Sequence, residues 1–410
     1  MLYFLSLFLK AFYFALPAGV LGWRYHRARK TGDRKPLISL AFLSLWAIAI
    51  GVSIPLVFAI PADTFAPISQ MLLMAYLTLA VLLVLRFAND GLLAFTRRLK
   101  PATPLRAYLT AVVTSLARVV ILACIALPYV MSTLMVYRPK VVPLDDPQSR
   151  LGVNFERVEF AASDGTRIVG WWMPAVSLEG DRSRDVVLVC HGLGSNKSNH
   201  LSLAIPALRA GYNVLAIDLR AHGESGGQLS TFGDNERLDA LAAVQWLTTT
   251  HPQRSNRILG VGASMGAAAL LAAAADDSDL GQRIDGVVAY GTYDNLRELA
   301  DTVTADYFPP PLGWLLRHIG LPIASAHTGR DLLAFSPGDA AKKLWPRPLL
   351  VIHGSDDEII RFEHGQKLYQ RALQPKQHLW IGGGSHNGIV DDESASYMVI
   401  EFLDGARQIL

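Results

Sequence analysis

The sequence predicts an α/β domain on a mostly parallel sheet of about eight strands, preceded by an all-α membrane region of about four helices. Three observations carry this. Short apolar runs alternate with helix-length segments through the second half. Four long apolar stretches fill the first half. Charge divides the same way: residues 1–137 hold 13 Lys and Arg against 3 Asp and Glu, and the rest holds 25 against 32. The net charge of +3 therefore hides a basic front half and an acidic back half. The back half lacks a basic cluster interleaved with aromatics, which argues against a nucleic-acid partner.

The apolar stretches are Leu2–Trp23, Leu37–Ile60, Ile68–Phe87 and Leu109–Val136. Each is near the length of about 20 residues that crosses a bilayer. Lys10 in the first and Arg118 in the fourth are costly at mid-membrane. Arg118 is close enough to one end to snorkel, whereas Lys10 is more central and weakens the first span. The first stretch lacks the basic start and small-residue cleavage site of a signal peptide. The loops 24–35 and 97–106 are basic, and the loop "PADTFAP" has no base. Basic loops stay in the cytoplasm, so the chain beyond Val136 is expected outside it, in the periplasm if the source is bacterial. "YRPKVVPLDDPQSR", with three prolines, reads as a linker, so 138–154 is expected to join the membrane region 1–137 to a catalytic domain at 155–410.

Strands are expected at "VEF" (158–160), "RIVGWWM" (167–173), "DVVLVC" (185–190), "NVLAID" (213–218), "RILGVG" (257–262), "DGVVAY" (285–290), "PLLVIH" (348–353) and "HLWI" (378–381). Helices are expected at about 198–210, 235–249, 265–275, 361–372 and 393–408. Continuous apolar strands separated by helices argue a parallel sheet covered on both faces. Asp164–Gly165 is a hairpin signal, so the first two strands should pair antiparallel. The stretch 292–347, rich in Pro, Leu and aromatics, is long for a connection and is expected to form a lid. Cys124 and Cys190 suggest no disulfide framework, and Cys190, Trp171 and Trp172 read as buried packing.

Chemistry gathers around "RILGVGASMGAAAL". Ser264 stands at the carboxyl end of an expected central strand, where α/β sheets place their sites. In G-x-S-x-G the serine occupies a sharp strand-to-helix turn, with Gly262 and Gly266 leaving room for neighbouring backbone. The helix that follows aims its positive end at the serine. A serine hydroxyl needs a base to take its proton. His386, in "IGGGSHNGI", lies in a glycine-rich loop after the last strand. Asp356 and Asp357, in "HGSDDEII", both stand at a strand end and could orient it. The order Ser, Asp, His is the one that accompanies this turn.

The segments "CHGLGSNKS" (190–198), "DLRAHGESGG" (218–227), "GASMG" (262–266), "HGSDDEII" (353–360) and "GGSHNGI" (383–389) resemble, in order, those of the α/β-hydrolase family. The resemblance covers roughly 155–408 and is nearest to the serine-hydrolase branch with Bem46-like and serine-aminopeptidase-like proteins. It implies Ser264 as nucleophile, His386 as base and Asp357 as acid. It also implies an oxyanion hole from the backbone N–H groups of Leu193 and Met265, and scaffold roles for His222 and His353. One departure is Arg220-Ala221-His222-Gly223, where the family usually has Arg-Gly-His-Gly. The expectation is a membrane-anchored serine hydrolase acting on a small or lipid-like acyl substrate, without metal or cofactor. The bond is expected to be an ester, with thioester, amide or acyl transfer as alternatives. A non-catalytic receptor or assembly module on the same fold is the rival expectation.

Overall fold

The computed structural model describes residues 127–409, apart from 138–139, 144 and 176–180, together with isolated positions between 112 and 124. The first three expected spans, and much of the fourth before Leu127, lie outside the described residues. Among the described residues no helix is long and apolar enough to cross a membrane.

Eight strands form one sheet in the order β1-β2-β4-β3-β5-β6-β7-β8. They are β1 Glu156–Ala161, β2 Arg167–Met173, β3 Val186–Cys190, β4 Asn213–Asp218, β5 Ile258–Ala263, β6 Ile284–Tyr290, β7 Leu349–Gly354 and β8 Lys376–Ile381. All eight expected strands are present. β1 pairs antiparallel with β2, and β2 with β4, while β3 to β8 are parallel. The hairpin turns at Gly165, whose φ of 80° suits glycine.

The longer helices are α1 Leu127–Val136, α2 Glu236–Thr250, α3 Met265–Ala274, α4 Leu296–Tyr307, α5 Leu321–Thr328, α6 Phe362–Arg371 and α7 Glu393–Ile409. The expected helix at 198–210 is instead a 3₁₀ turn, Leu201–Leu203, followed by a five-residue helix, Ile205–Arg209. Pro206 lacks an amide hydrogen and so fits a first turn, not the middle of one long helix.

Alternation along each strand divides the core in two. Val186, Leu188 and Cys190 pack with α2, α3 and α6 on one face. Val187 and Val189 pack with 201–207 and α7 on the other. Cys190, Trp171 and Trp172 are buried, as expected. The stretch 292–347 folds as helices, including α4 and α5. Together with Val136, Phe232, Tyr293 and Ile360 they form a third apolar cluster, against which Leu193 packs.

The end of α1 belongs to this third cluster, through Val136. Among the described residues α1 covers Leu127–Val136, the last ten residues of the fourth apolar stretch. Val136 is fully buried, a contribution of about 1.5–3 kcal/mol. The Val136 carbonyl accepts from Ser230 N–H at 2.9 Å. Thr133 Oγ1 lies 3.3 Å from His327 Nε2 of α5. Described residues of the expected linker make fixed contacts. Asp146 caps the helix Pro147–Leu151, Arg150 donates to the Ser198 carbonyl at 2.8 Å, and Asn196 donates to the Val141 carbonyl at 2.9 Å.

Candidate active site

Ser264 joins β5 to α3 with φ 52° and ψ −118°, a left-handed backbone that few side chains adopt without strain. The turn is held from three sides. Ser264 N–H donates to the Tyr290 carbonyl at 2.8 Å. The Ser264 carbonyl accepts from Thr292 Oγ1 at 2.8 Å and from Ala268 N–H at 3.2 Å. Both flanking glycines are sterically required. A Cβ on Gly262 would stand 2.6 Å from Ala267 N, and one on Gly266 would stand 2.3 Å from the Cys190 carbonyl oxygen. The helix thus starts hard against the end of β3, which brings the loop 191–194 beside Ser264.

That loop is hung on two histidines. His222 Nδ1 donates to the Arg220 carbonyl at 2.8 Å, which leaves Nε2 to accept from Gly194 N–H at 3.0 Å. His191 Nδ1 donates to the Gly192 carbonyl at 2.7 Å, and its Nε2 accepts from Leu219 N–H at 3.0 Å. Burial pushes the His191 pKa well down, and the charge of neighbouring His222 adds to this. His222 thus ties the loop 191–194 to the turn after β4. Below it, fully buried Lys197 reaches Asp218 Oδ2 and Glu224 Oε2 at 2.6 Å each and lies 4.6 Å from the Trp171 ring centre. Leu193 N–H and Met265 N–H donate to no other group among the described residues.

At the end of β7, Asp357 is buried and Asp356 is exposed. Asp357 Oδ1 accepts from Ile359 N–H at 3.0 Å and Ile360 N–H at 2.7 Å. Its Oδ2 accepts from His386 Nδ1 at 2.7 Å. His353 Nε2 donates to the Ile360 carbonyl at 2.8 Å and also lies 3.4 Å from Asp357 Oδ2. Burial alone would raise the Asp357 pKa. The hydrogen bonds from His353 and His386 outweigh it and hold the carboxyl well below the usual range. Asp356 Oδ1 only accepts from its neighbour Ser355 Oγ, at 2.8 Å. The structure brings Asp357, not Asp356, to His386.

The loops after β7 and β8 are joined backbone to backbone. Ser355 N–H donates to the Ile381 carbonyl at 2.9 Å and Asp356 N–H to the Gly384 carbonyl at 3.1 Å. A Cβ on Gly354 would stand 2.0 Å from the Gly384 oxygen. Gly291, one residue beyond the Tyr290 carbonyl that holds Ser264, completes the junction. A Cβ there would be 3.5 Å from both Asp357 Oδ2 and His386 Cε1. With Nδ1 committed to Asp357, the remaining nitrogen of His386 has no partner among the described residues. Ser264, His386, Asp357 and Leu193 thus share the carboxyl edge of the sheet.

A sequence profile of the alpha/beta hydrolase family matches residues 186–395. The chain belongs to the alpha/beta hydrolase family. It is 30% identical over 234 residues to the uncharacterized protein YfhR of Escherichia coli (strain K12), 56% of this chain and 73% of that one. It is 28% identical over 284 residues to the uncharacterized protein Rv2307c of Mycobacterium tuberculosis, 67% of this chain and 86% of that one. Among solved structures, the Pyrococcus furiosus esterase Pf2001 superposes with a TM-score of 0.53 and 28% identity, covering 66% of this chain and 98% of that one. An esterase at this level of likeness supports hydrolase activity for this hydrolase-fold chain.

The family membership also explains Ala221. It sits at φ 60°, so the glycine usual in the family serves a left-handed turn that alanine occupies here under strain. Sequence reasoning passed over His200. The quoted motif stops at Ser198, two residues short of it. The only signal was a polar run, "SNKSNH", after a strand. Among the described residues no three His, Cys, Asp or Glu side chains converge as a metal site.

Proposed function

We propose that the protein is a membrane-anchored serine hydrolase that cleaves an ester through an acyl-enzyme. Ser264 Oγ attacks the carbonyl carbon while its proton passes to His386 Nε2. Asp357, on Nδ1, holds the ring in the tautomer whose Nε2 is free to accept. The oxyanion rests on Leu193 and Met265 N–H, each donor worth about 3 kcal/mol. The imidazolium then protonates the leaving alcohol, and the C–O bond breaks. Water attacks the acyl-enzyme, gives its proton to His386, and the acid departs as Ser264 regains a proton. The observation that carries this reading is the His386–Asp357 bond at 2.7 Å, set one residue from the strand that holds the Ser264 turn. The esterase Pf2001 favours an ester over the other acyl bonds.

The anchor is the set of apolar stretches before Leu127, with the basic loops 24–35 and 97–106 in the cytoplasm and the hydrolase domain outside it. The fastening of α1 to the lid supports a site held near the bilayer and a lipid-like acyl substrate. Membranes carrying the protein should be labelled by a fluorophosphonate probe, and Ser264→Ala should abolish the label. Absent labelling of the wild type, or equal labelling of the variant, would leave the non-catalytic reading standing.

A further inference from the structure

A second imidazole borders the same site. A Cβ built on Gly192 would stand 3.4 Å from Ser264 Cβ and 3.8 Å from His200 Nε2. The two side chains therefore flank one glycine, immediately before the Leu193 N–H. His200 Nδ1 lies 3.0 Å from Ser195 Oγ, whereas Nε2 has no hydrogen-bond partner among the described residues. Leu201 and Leu203 pack in one cluster with Ile389, three residues beyond His386. His200 is thus placed between the loop after β3 and the loop that carries His386.

The surroundings keep this ring neutral. Burial pushes its pKa down to about 4, helped by the positive charge of His386 when protonated. A neutral imidazole with one nitrogen engaged offers a single site, donor or acceptor according to tautomer. A hydroxyl satisfies either tautomer. A carboxylate or an ammonium satisfies only one.

We propose that His200 is a specificity-determining residue that binds a hydroxyl on the alcohol half of the substrate, as in a glyceryl ester. The inference rests on the serine-hydrolase reading. His386 hands its proton to the leaving oxygen, so the alcohol half lies against His386. His200, beside His386 and Gly192, borders that side. An alcohol half without a hydroxyl leaves Nε2 unpaired once water is displaced, and sites built around a hydrogen bond reject such analogues strongly.

The test uses the full-length protein in detergent. A panel of 4-nitrophenyl esters first identifies the preferred acyl chain. The glyceryl and propyl esters of that acid are then compared by kcat/KM. The wild type should favour the glyceryl ester by roughly tenfold or more. His200→Leu should bring the ratio near one, and His200→Gln should restore part of it. Ser195→Ala, which only removes the Nδ1 partner, should lower the ratio about threefold and serves if His200→Leu does not fold. No wild-type preference, or a ratio unchanged in these variants, overturns the inference. Failure of the fluorophosphonate to label wild-type Ser264 is a separate result. It overturns the hydrolase reading, and this inference with it.

Discussion

Replacing Asp357 by Asn changes one atom at the centre of the proposed triad, and the structure dictates which way the amide must face. Asp357 Oδ1 accepts two backbone N–H groups, from Ile359 at 3.0 Å and Ile360 at 2.7 Å. An NH₂ group there would confront two donors, so the Asn oxygen must take that place. The amide nitrogen then falls at the Oδ2 position, 2.7 Å from His386 Nδ1. Two donors cannot face each other, so His386 moves its proton to Nε2 and can no longer receive the one on Ser264. The same tautomeric fault in another triad hydrolase lowers kcat by about 10⁴, equivalent to about 5.5 kcal/mol of barrier. Turnover of the preferred 4-nitrophenyl ester should fall by that order in Asp357→Asn, with the thermal melt still cooperative. Asp356→Asn should change it little, because that side chain is exposed and bonded only to Ser355 Oγ. Activity of Asp357→Asn within tenfold of wild type, or an equal fall in Asp356→Asn, would refute the reasoning.

Ala221→Gly should raise stability by about 1 kcal/mol, since alanine at φ 60° carries left-handed strain that glycine lacks; an unchanged or lower urea midpoint counts against this. Stability should also fall as pH drops from about 6.5 to about 4. His200 and His364 are each pushed down to about 4, chiefly by burial. The unfolded chain therefore takes up protons in that window before the folded one does, and stability rises with pH there. Urea melts at pH 7.5 and pH 5 check the sign, and His364→Gln should flatten the difference. The orientation can be tested with alkaline phosphatase fused after Arg150. It should be active, and a fluorophore that matures only in the cytoplasm should be dark; the reverse pattern would place the hydrolase domain inside.

Much of the domain was legible because its signals are local. The six inner strands were apolar runs with helix-length spacing, since a strand buried on both faces must be apolar along its whole length. The edge strands β1 and β8 are partly exposed and mixed in composition. Gly262 and Gly266 announced the turn at Ser264, since backbone passes where their Cβ atoms would be. His386 was marked by its place after the last strand. The choice between Asp356 and Asp357 was different. Adjacent residues have the same chemistry in sequence, and only the family resemblance separated them. The fold separates them physically, by burying one against two backbone N–H groups and His386 while the other faces solvent. Tertiary structure alone also decided the fate of Leu127–Val136. An apolar stretch reads the same whether lipid or protein covers it, and the helices that cluster with Val136 come more than 150 residues later. His200 was hidden for the same reason. Its chain neighbours are ordinary polar residues, and its meaning comes from Gly192, Ser264 and the loop after β8, which only the closed sheet edge brings to one place.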